Sequence, residues 1–163
     1  MKALVLALLL PLSVFAEKLG PPSLAPTQDE VQGRFDSVVA AADRVEFSPV
    51  AGSGKIGRAV LVIRKKEEIA GLSDAFRFQI ADPRKGYVGG SYGTFDIVVI
   101  AGDEVLLRAR LFGDDSIASG SLHEHSQITL AKNPLASLYS RLTRLAEEEE
   151  KNRWRTRQQR QRR

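Results

Sequence analysis

Apolar residues recur at helical spacing soon after a proline-rich stretch near the start of the chain. Thr27 and Glu30 match a capping box, in which two side chains satisfy each other's backbone amides at a helix start. The apolar positions that follow are spaced by one, three or four residues, as one helix face requires: Val31, Phe35, Val38, Val39 and Ala42. This pattern predicts a helix over residues 28–43 with the stripe facing the core.

A second helical pattern lies near the end of the chain. Asn133 is a favoured N-cap residue, and Pro134 suits the first helical position. Leucines and one tyrosine then form an apolar stripe: Leu135, Leu138, Tyr139, Leu142 and Leu145. Because the stripe stops there, we predict a helix whose packed part ends near residue 146 and whose charged continuation projects or frays.

Between the two helical patterns, the chain reads mainly as strands. Residues 45–50 fit a short strand, and 56–63 contains four successive apolar residues, which favours a strand buried on both faces and central to its sheet. Residues 94–100 and 104–112 flank a tight glycine turn, which predicts a hairpin. Residues 119–130 alternate between apolar and polar positions and predict one further strand.

Residues 65–80 fit two patterns. Their apolar positions favour a helix through about Phe78, whereas Phe76, Phe78 and Ile80 also alternate as in a strand. Residues 82–93 contain four glycines and predict a loop. The sequence therefore predicts an α+β fold, with a mainly antiparallel sheet of about five strands packed against helices and a long charged C-terminal helix. Residues 27–146 would form the single domain.

The N-terminal residues 1–16 have the pattern of a secretory signal peptide. An apolar run follows Lys2, and Val14 and Ala16 are the small residues before a cleavage point at Glu17. The apolar stretch is too short for a membrane-spanning helix, which needs about 20 residues. We therefore expect an exported protein, periplasmic or secreted, in which the proline-rich residues 17–26 form a spacer.

Composition narrows the classes of site. The chain of 163 residues contains no Cys, which excludes disulfides, thiolate metal sites and a cysteine nucleophile. No cofactor is predicted. The segment Gly52–Lys55 resembles a phosphate-binding loop only superficially, because Pro49 stands where its first Gly is required and Ile56 replaces the Ser or Thr that holds magnesium. We expect a plain turn there.

Positive charge is concentrated at the end of the chain. Residues 151–163 contain seven of the 24 basic residues and no acid, and four glutamates precede them at 147–150. Arginine suits phosphate and carboxylate groups, and an exposed tryptophan suits a lipid interface. The predicted anion-contacting residues are Arg153, Trp154, Arg155, Arg157, Arg160, Arg162 and Arg163. Acid-to-base pairs within one helix are the structural alternative.

Two other groups are candidate sites. His123 and His125 share one face of the predicted strand, where Asp114 or Asp115 could complete a divalent metal site; a solvated strand face explains them equally well. Tyr87 and Tyr92 lie in the glycine-rich loop, where aromatic rings on a surface loop suit partner binding and also suit simple packing. No catalytic residues are predicted.

These observations favour an exported, non-catalytic binding or interaction module of unknown biochemical activity. Its expected partners are an unknown protein or envelope component and an anionic membrane surface or polysaccharide, while nucleic acid is not expected. A metal-dependent site or hydrolase using His123 and His125 is one alternative. A structural or assembly protein with an anion-contacting tail is another.

Overall fold

A computed structural model of the chain describes residues 27–51, 54–79, 94–122 and 127–161. The predicted signal peptide, the spacer and the loop at 82–93 lie outside these residues. Four helices and seven strands are described, in the order α1 (Gln28–Ala41), β1 (Arg44–Pro49), β2 (Leu61–Ile63), α2 (Lys66–Ala70), α3 (Leu72–Ala75), β3 (Phe78–Gln79), β4 (Phe95–Ala101), β5 (Glu104–Phe112), β6 (Ser116–Ala118), β7 (Gln127–Leu130) and α4 (Lys132–Gln161).

The strands form one antiparallel sheet in the order β2-β1-β4-β5-β6-β7-β3. Its inward side chains alternate along each strand and meet the apolar faces of the helices. These side chains form one core cluster, which includes Val31, Phe35 and Val39 of α1, Phe47 of β1, Ile97 and Val99 of β4, Leu111 of β5, and Leu135 and Leu142 of α4. The predicted α+β class is confirmed, with seven described strands rather than about five.

The start of α1 follows the predicted capping box closely. The Thr27 hydroxyl accepts a hydrogen bond from the Glu30 amide at 3.3 Å, and the Glu30 carboxylate accepts one from the Thr27 amide at 2.7 Å. The predicted hairpin is also confirmed as β4 and β5, with Gly102 in its turn at a φ of 56°. Both predictions rested on contacts between near neighbours in sequence.

The prediction for residues 56–63 was wrong in position and extent. Only Leu61–Ile63 is a strand, it lies at one edge of the sheet, and Val62 is 41 % exposed. Ile56 instead makes an isolated bridge with Val50. The strand buried on both faces is β4, in which neighbouring side chains that point to opposite faces, such as Phe95 and Asp96, are both buried.

The helix predicted from residue 65 to about Phe78 is also corrected. It divides into α2 and α3 at Gly71, whose amide donates to the Glu67 carbonyl, and the second helix ends at Ala75. Phe78 then begins β3, which pairs with β7. Both sequence patterns were therefore present, one after the other, and Phe76 and Phe78 both pack against Phe35 with ring centroids 5.3 Å apart.

Only the last four residues of the strand predicted over residues 119–130 form a described strand, β7. β6 ends at Ala118 and β7 begins at Gln127, and the two pair with each other. The chain turns after Ser119, whose buried hydroxyl donates to the Arg108 carbonyl at 2.7 Å, and Leu122 donates its amide back to the Ser119 carbonyl. The predicted alternation therefore spanned a turn.

Candidate functional site

Helix α4 is the longest element that the structure describes, with 30 residues or about 45 Å of length. Its first half packs on the core through Leu135 and Leu142, which are fully buried, and through the partly buried Leu138, Tyr139 and Leu145. The predicted packed part is thus confirmed. The structure continues the helix to Gln161, so the charged continuation is helical up to that residue.

Residues 147–161 form what we call the projecting half of α4. This segment spans about 22 Å, and its side chains are exposed except for the half-exposed Glu149 and Gln158. Five of the predicted anion-contacting and neighbouring basic side chains lie on it: Lys151, Arg153, Arg155, Arg157 and Arg160. At 100° per residue these cations fall on two opposite sides of the helix, with Arg153, Arg157 and Arg160 on one side and Lys151 and Arg155 on the other. Arg162 and Arg163 lie outside the described residues.

One acid-to-base contact is present within the projecting half. The Nε of Arg153 donates a 2.9 Å hydrogen bond to Oε1 of Glu149, four residues earlier. Such an exposed pair stabilises a helix by only a few tenths of a kcal/mol. Acid-to-base pairing within the helix therefore accounts for Arg153. The arginines that follow it are more than four residues from the glutamates at 147–150 and lie beyond their reach.

Trp154 is the most exposed large apolar side chain among the described residues, at 60 %. It lies in the basic segment, one helical turn after Glu150. A tryptophan held in water by a helix exposes an apolar ring with a polar N–H, which is the combination that favours a lipid interface or a protein partner.

A groove of about 550 Å³ lies beside α4, where the helix passes the connection between β1 and β2. Its apolar lining comes from Val50, Ile56, Phe95, Tyr139 and Ala146. The ring of Tyr139 stands edge-on to that of Phe95 and joins α4 to the start of β4. Ile56, which the sequence placed in a buried strand, is 50 % exposed at this groove.

Charged side chains surround the groove on the side of the projecting half. Glu147, Glu149 and Glu150 provide carboxylates, while Lys55 and Arg153 provide cations. The groove thus combines an apolar lining with a predominantly acidic end. This arrangement suits a ligand that carries apolar and basic groups together.

The turn that carries Lys55 is closed by its own backbone. Ala51 donates its amide to the Lys55 carbonyl at 2.9 Å, and Gly54 donates its amide to the Ala51 carbonyl at 2.7 Å. In a phosphate-binding loop, the backbone amides donate to the phosphate and not to carbonyls of the same turn. These contacts agree with the expected plain turn.

Several predicted site residues lie outside the described part of the chain. They are Tyr87 and Tyr92 of the glycine-rich loop and His123 and His125 of the predicted metal site. Asp114 and Asp115 lie in the turn between β5 and β6. Among the described residues, no group of three or more metal-ligating side chains occurs, and no helix has the length and apolar character to cross a bilayer.

Comparisons with known proteins return no match, whether to a protein-family model, to a curated protein or to a solved structure.

The groove was not found from the sequence. The sequence pattern places Tyr139 in the core stripe and Ile56 in a buried strand, so it predicts no binding role for either residue. A signal was present in the spacing of Tyr139, Thr143, Ala146 and Glu150, which repeats at four and three residues on a helix face adjacent to the leucine stripe. The connection between β1 and β2 forms the opposite wall, and it lies beside α4 only as a result of tertiary packing.

Proposed function

We propose that this protein is an exported binding module whose projecting half of α4 contacts an anionic membrane surface. The observation that carries the proposal is the continuous helix to Gln161, which holds five basic side chains and Trp154 in solvent. Export rests on the signal-peptide pattern, and a binding role rather than catalysis rests on the lack of a catalytic motif in the sequence.

The charge distribution supports a contact made by the tip of the helix. The acidic residues 147–150 lie next to the packed half, and the basic residues lie farther out. Because the cations lie on two opposite sides of the helix, either side can face the surface. A basic side chain near an anionic membrane contributes about 1 kcal/mol, so three together give an affinity gain of roughly a hundredfold.

Trp154 favours a membrane over a polysaccharide as the anionic partner. Its ring lies among the basic side chains and is 60 % exposed. Tryptophan partitions into the headgroup region of a bilayer, where its apolar ring and its N–H are both accommodated. A polysaccharide would reward the arginines without a comparable gain from this ring.

Vesicle binding tests the proposal directly. The protein is compared with a version that ends at Glu150, using vesicles of phosphatidylglycerol and phosphatidylcholine and vesicles of phosphatidylcholine alone. We expect only the full chain to cosediment with the anionic vesicles, and we expect higher salt to weaken this binding. Equal binding by both versions would contradict the proposal.

A second arm separates the two anionic partners. Trp154→Ala is measured on the anionic vesicles and on a soluble acidic polysaccharide. We expect vesicle binding to fall and polysaccharide binding to stay weak and unchanged. Strong polysaccharide binding that is independent of Trp154 would assign the helix to that partner instead.

A further inference from the structure

We propose that the groove beside α4 receives the projecting half of α4 from a second copy of this chain, which produces a two-fold symmetric antiparallel dimer. The helix has two seams at coiled-coil spacing. The leucine seam packs on the core of its own chain. The second seam faces the groove and continues into the projecting half: Tyr139, Thr143, Ala146, Glu150, Arg153, Arg157 and Arg160.

The face of α4 that lines the groove continues into the projecting half. Ala146, Glu150 and Arg153 line the groove, and Arg157 follows Arg153 one turn later on the same face. A helix from a second copy that lies antiparallel along this seam therefore meets the groove with its own projecting half. The exchange is reciprocal, as a two-fold interface requires.

Charge complementarity selects a second copy, and selects the antiparallel orientation. Along each helix an acidic block at 147–150 is followed by the basic residues from Lys151 onward. A parallel pair would place acid on acid and base on base. An antiparallel pair with its axis beside Lys151 and Asn152 places Glu150 opposite Arg153 of the second copy, and Ala146 opposite Arg157 of the second copy.

The pairing would also cover an exposed apolar side chain on each of the two surfaces. Ile56 is 50 % exposed on the groove wall, and Trp154 is 60 % exposed beside the seam on the projecting half. Antiparallel pairing brings Trp154 of each copy to the groove end of the other copy's helix, near Glu149 and Glu150. Both exposed apolar side chains would then lose contact with water on association.

The contact between Arg153 and Glu149 is compatible with this pairing. Arg153 uses its Nε for that hydrogen bond, and a guanidinium carries four further N–H groups on its two Nη atoms. The same side chain can therefore bridge Glu149 of its own helix and Glu150 of the second copy. Charge-assisted bonds of this kind add specificity to a small interface.

The decisive experiment exchanges charges and measures molecular mass by sedimentation velocity, without vesicles, on the protein as processed by the expressing cell. One variant, Glu147→Lys with Glu150→Lys, reverses a groove-lining acid and the one acid of the seam. The other, Arg153→Glu with Arg157→Glu, leaves Arg160 as the one basic residue of the seam. The wild type should form dimers as its concentration rises from about 5 to about 300 µM. Each variant alone should stay monomeric, and their mixture should form heterodimers.

A substitution outside the helix separates this proposal from a change in helix content. Ile56→Ser alters the groove wall alone and should weaken dimerisation at least about tenfold. The matched control, Val105→Ser, changes a 43 % exposed side chain at the opposite end of β4 and β5 and should leave dimerisation unchanged. Ile56 lies outside the projecting half, and loss of the dimer would leave that half exposed, so Ile56→Ser should not weaken vesicle binding.

A wild type that remains monomeric over this concentration range would overturn the dimer and leave the membrane contact standing. So would a dimer that survives both charge reversals and Ile56→Ser. Circular dichroism of each charge variant checks that the helix persists.

Discussion

The ring of Tyr139 on α4 stands edge-on to the ring of Phe95 at the start of β4, with their centroids 6.0 Å apart and an interplanar angle of 88°. Phe95 is buried, and Tyr139 is half-buried at the lining of the groove. This pair connects the long helix to an interior strand of the sheet. Both residues also line the groove beside α4.

Replacing Tyr139 by leucine should destabilise the protein by about 0.5–1.5 kcal/mol, because an edge-to-face pair contributes this much beyond its buried area. Tyr139→Phe keeps the ring and serves as the matched control, which we expect to remain near the wild type. Urea unfolding measures both free energies. Equal stability of the leucine and phenylalanine variants would show that the ring geometry contributes nothing.

The capping box of α1 gives a prediction about stability. Thr27→Ala removes the hydroxyl that accepts a hydrogen bond from the Glu30 amide. We expect a loss of about 1 kcal/mol in the free energy of unfolding. Thr27→Ser keeps the acceptor and should retain most of the stability. A serine variant as unstable as the alanine variant would exclude the capping hydrogen bond as the cause.

The same box gives a pH dependence. The backbone amide of Thr27, its hydroxyl and the nearby Arg34 lower the pKa of the Glu30 carboxyl below its ordinary value. A lowered folded-state pKa adds stability above the ordinary pKa of 4.5, and this stability is lost as the pH falls through the lowered value. The advantage of wild type over Glu30→Gln should therefore be present near pH 7 and vanish near pH 2. An advantage that grows on acidification would contradict this sign.

Two glycines predict opposite effects of alanine. Gly33 lies within α1, and a Cβ added there meets nothing within 4 Å, so Gly33→Ala should stabilise by about 0.5–1 kcal/mol. Gly102 has a φ of 56° and donates its amide to Asp43, so Gly102→Ala should destabilise by about 1 kcal/mol or more. Thermal or urea unfolding of both variants checks the pair, and the same sign for both would be inconsistent with it.

Much of the fold follows from local sequence. The capping box of Thr27 and Glu30, the hairpin around Gly102 and the leucine stripe of α4 each involve residues close in the chain, so the pattern contains the whole cause. The position of a strand within its sheet does not follow from local sequence. Val60 to Ile63 are apolar in succession, yet β2 lies at the edge, because the order of strands depends on distant pairings.

Glycines that interrupt an apolar pattern account for the other differences between the predicted and the observed elements. Gly71 divides the apolar run at 65–80, and Gly120 follows Ser119 at the turn that divides residues 119–130. Both glycines are signals that a periodic pattern can conceal. For the candidate site, the basic residues were evident from sequence. The groove was not, since Ile56 and Tyr139 meet there only through tertiary structure.

The central claim, a local electrostatic contact by the projecting half of α4, is tested most directly by two double variants of equal net charge. Arg155→Gln with Arg160→Gln changes the projecting half, and Arg141→Gln with Arg144→Gln changes exposed positions on the packed half of the same helix. We predict that only the first pair weakens binding to phosphatidylglycerol vesicles, by roughly tenfold or more. Equal weakening by both pairs would show that net charge alone governs binding and would contradict the account.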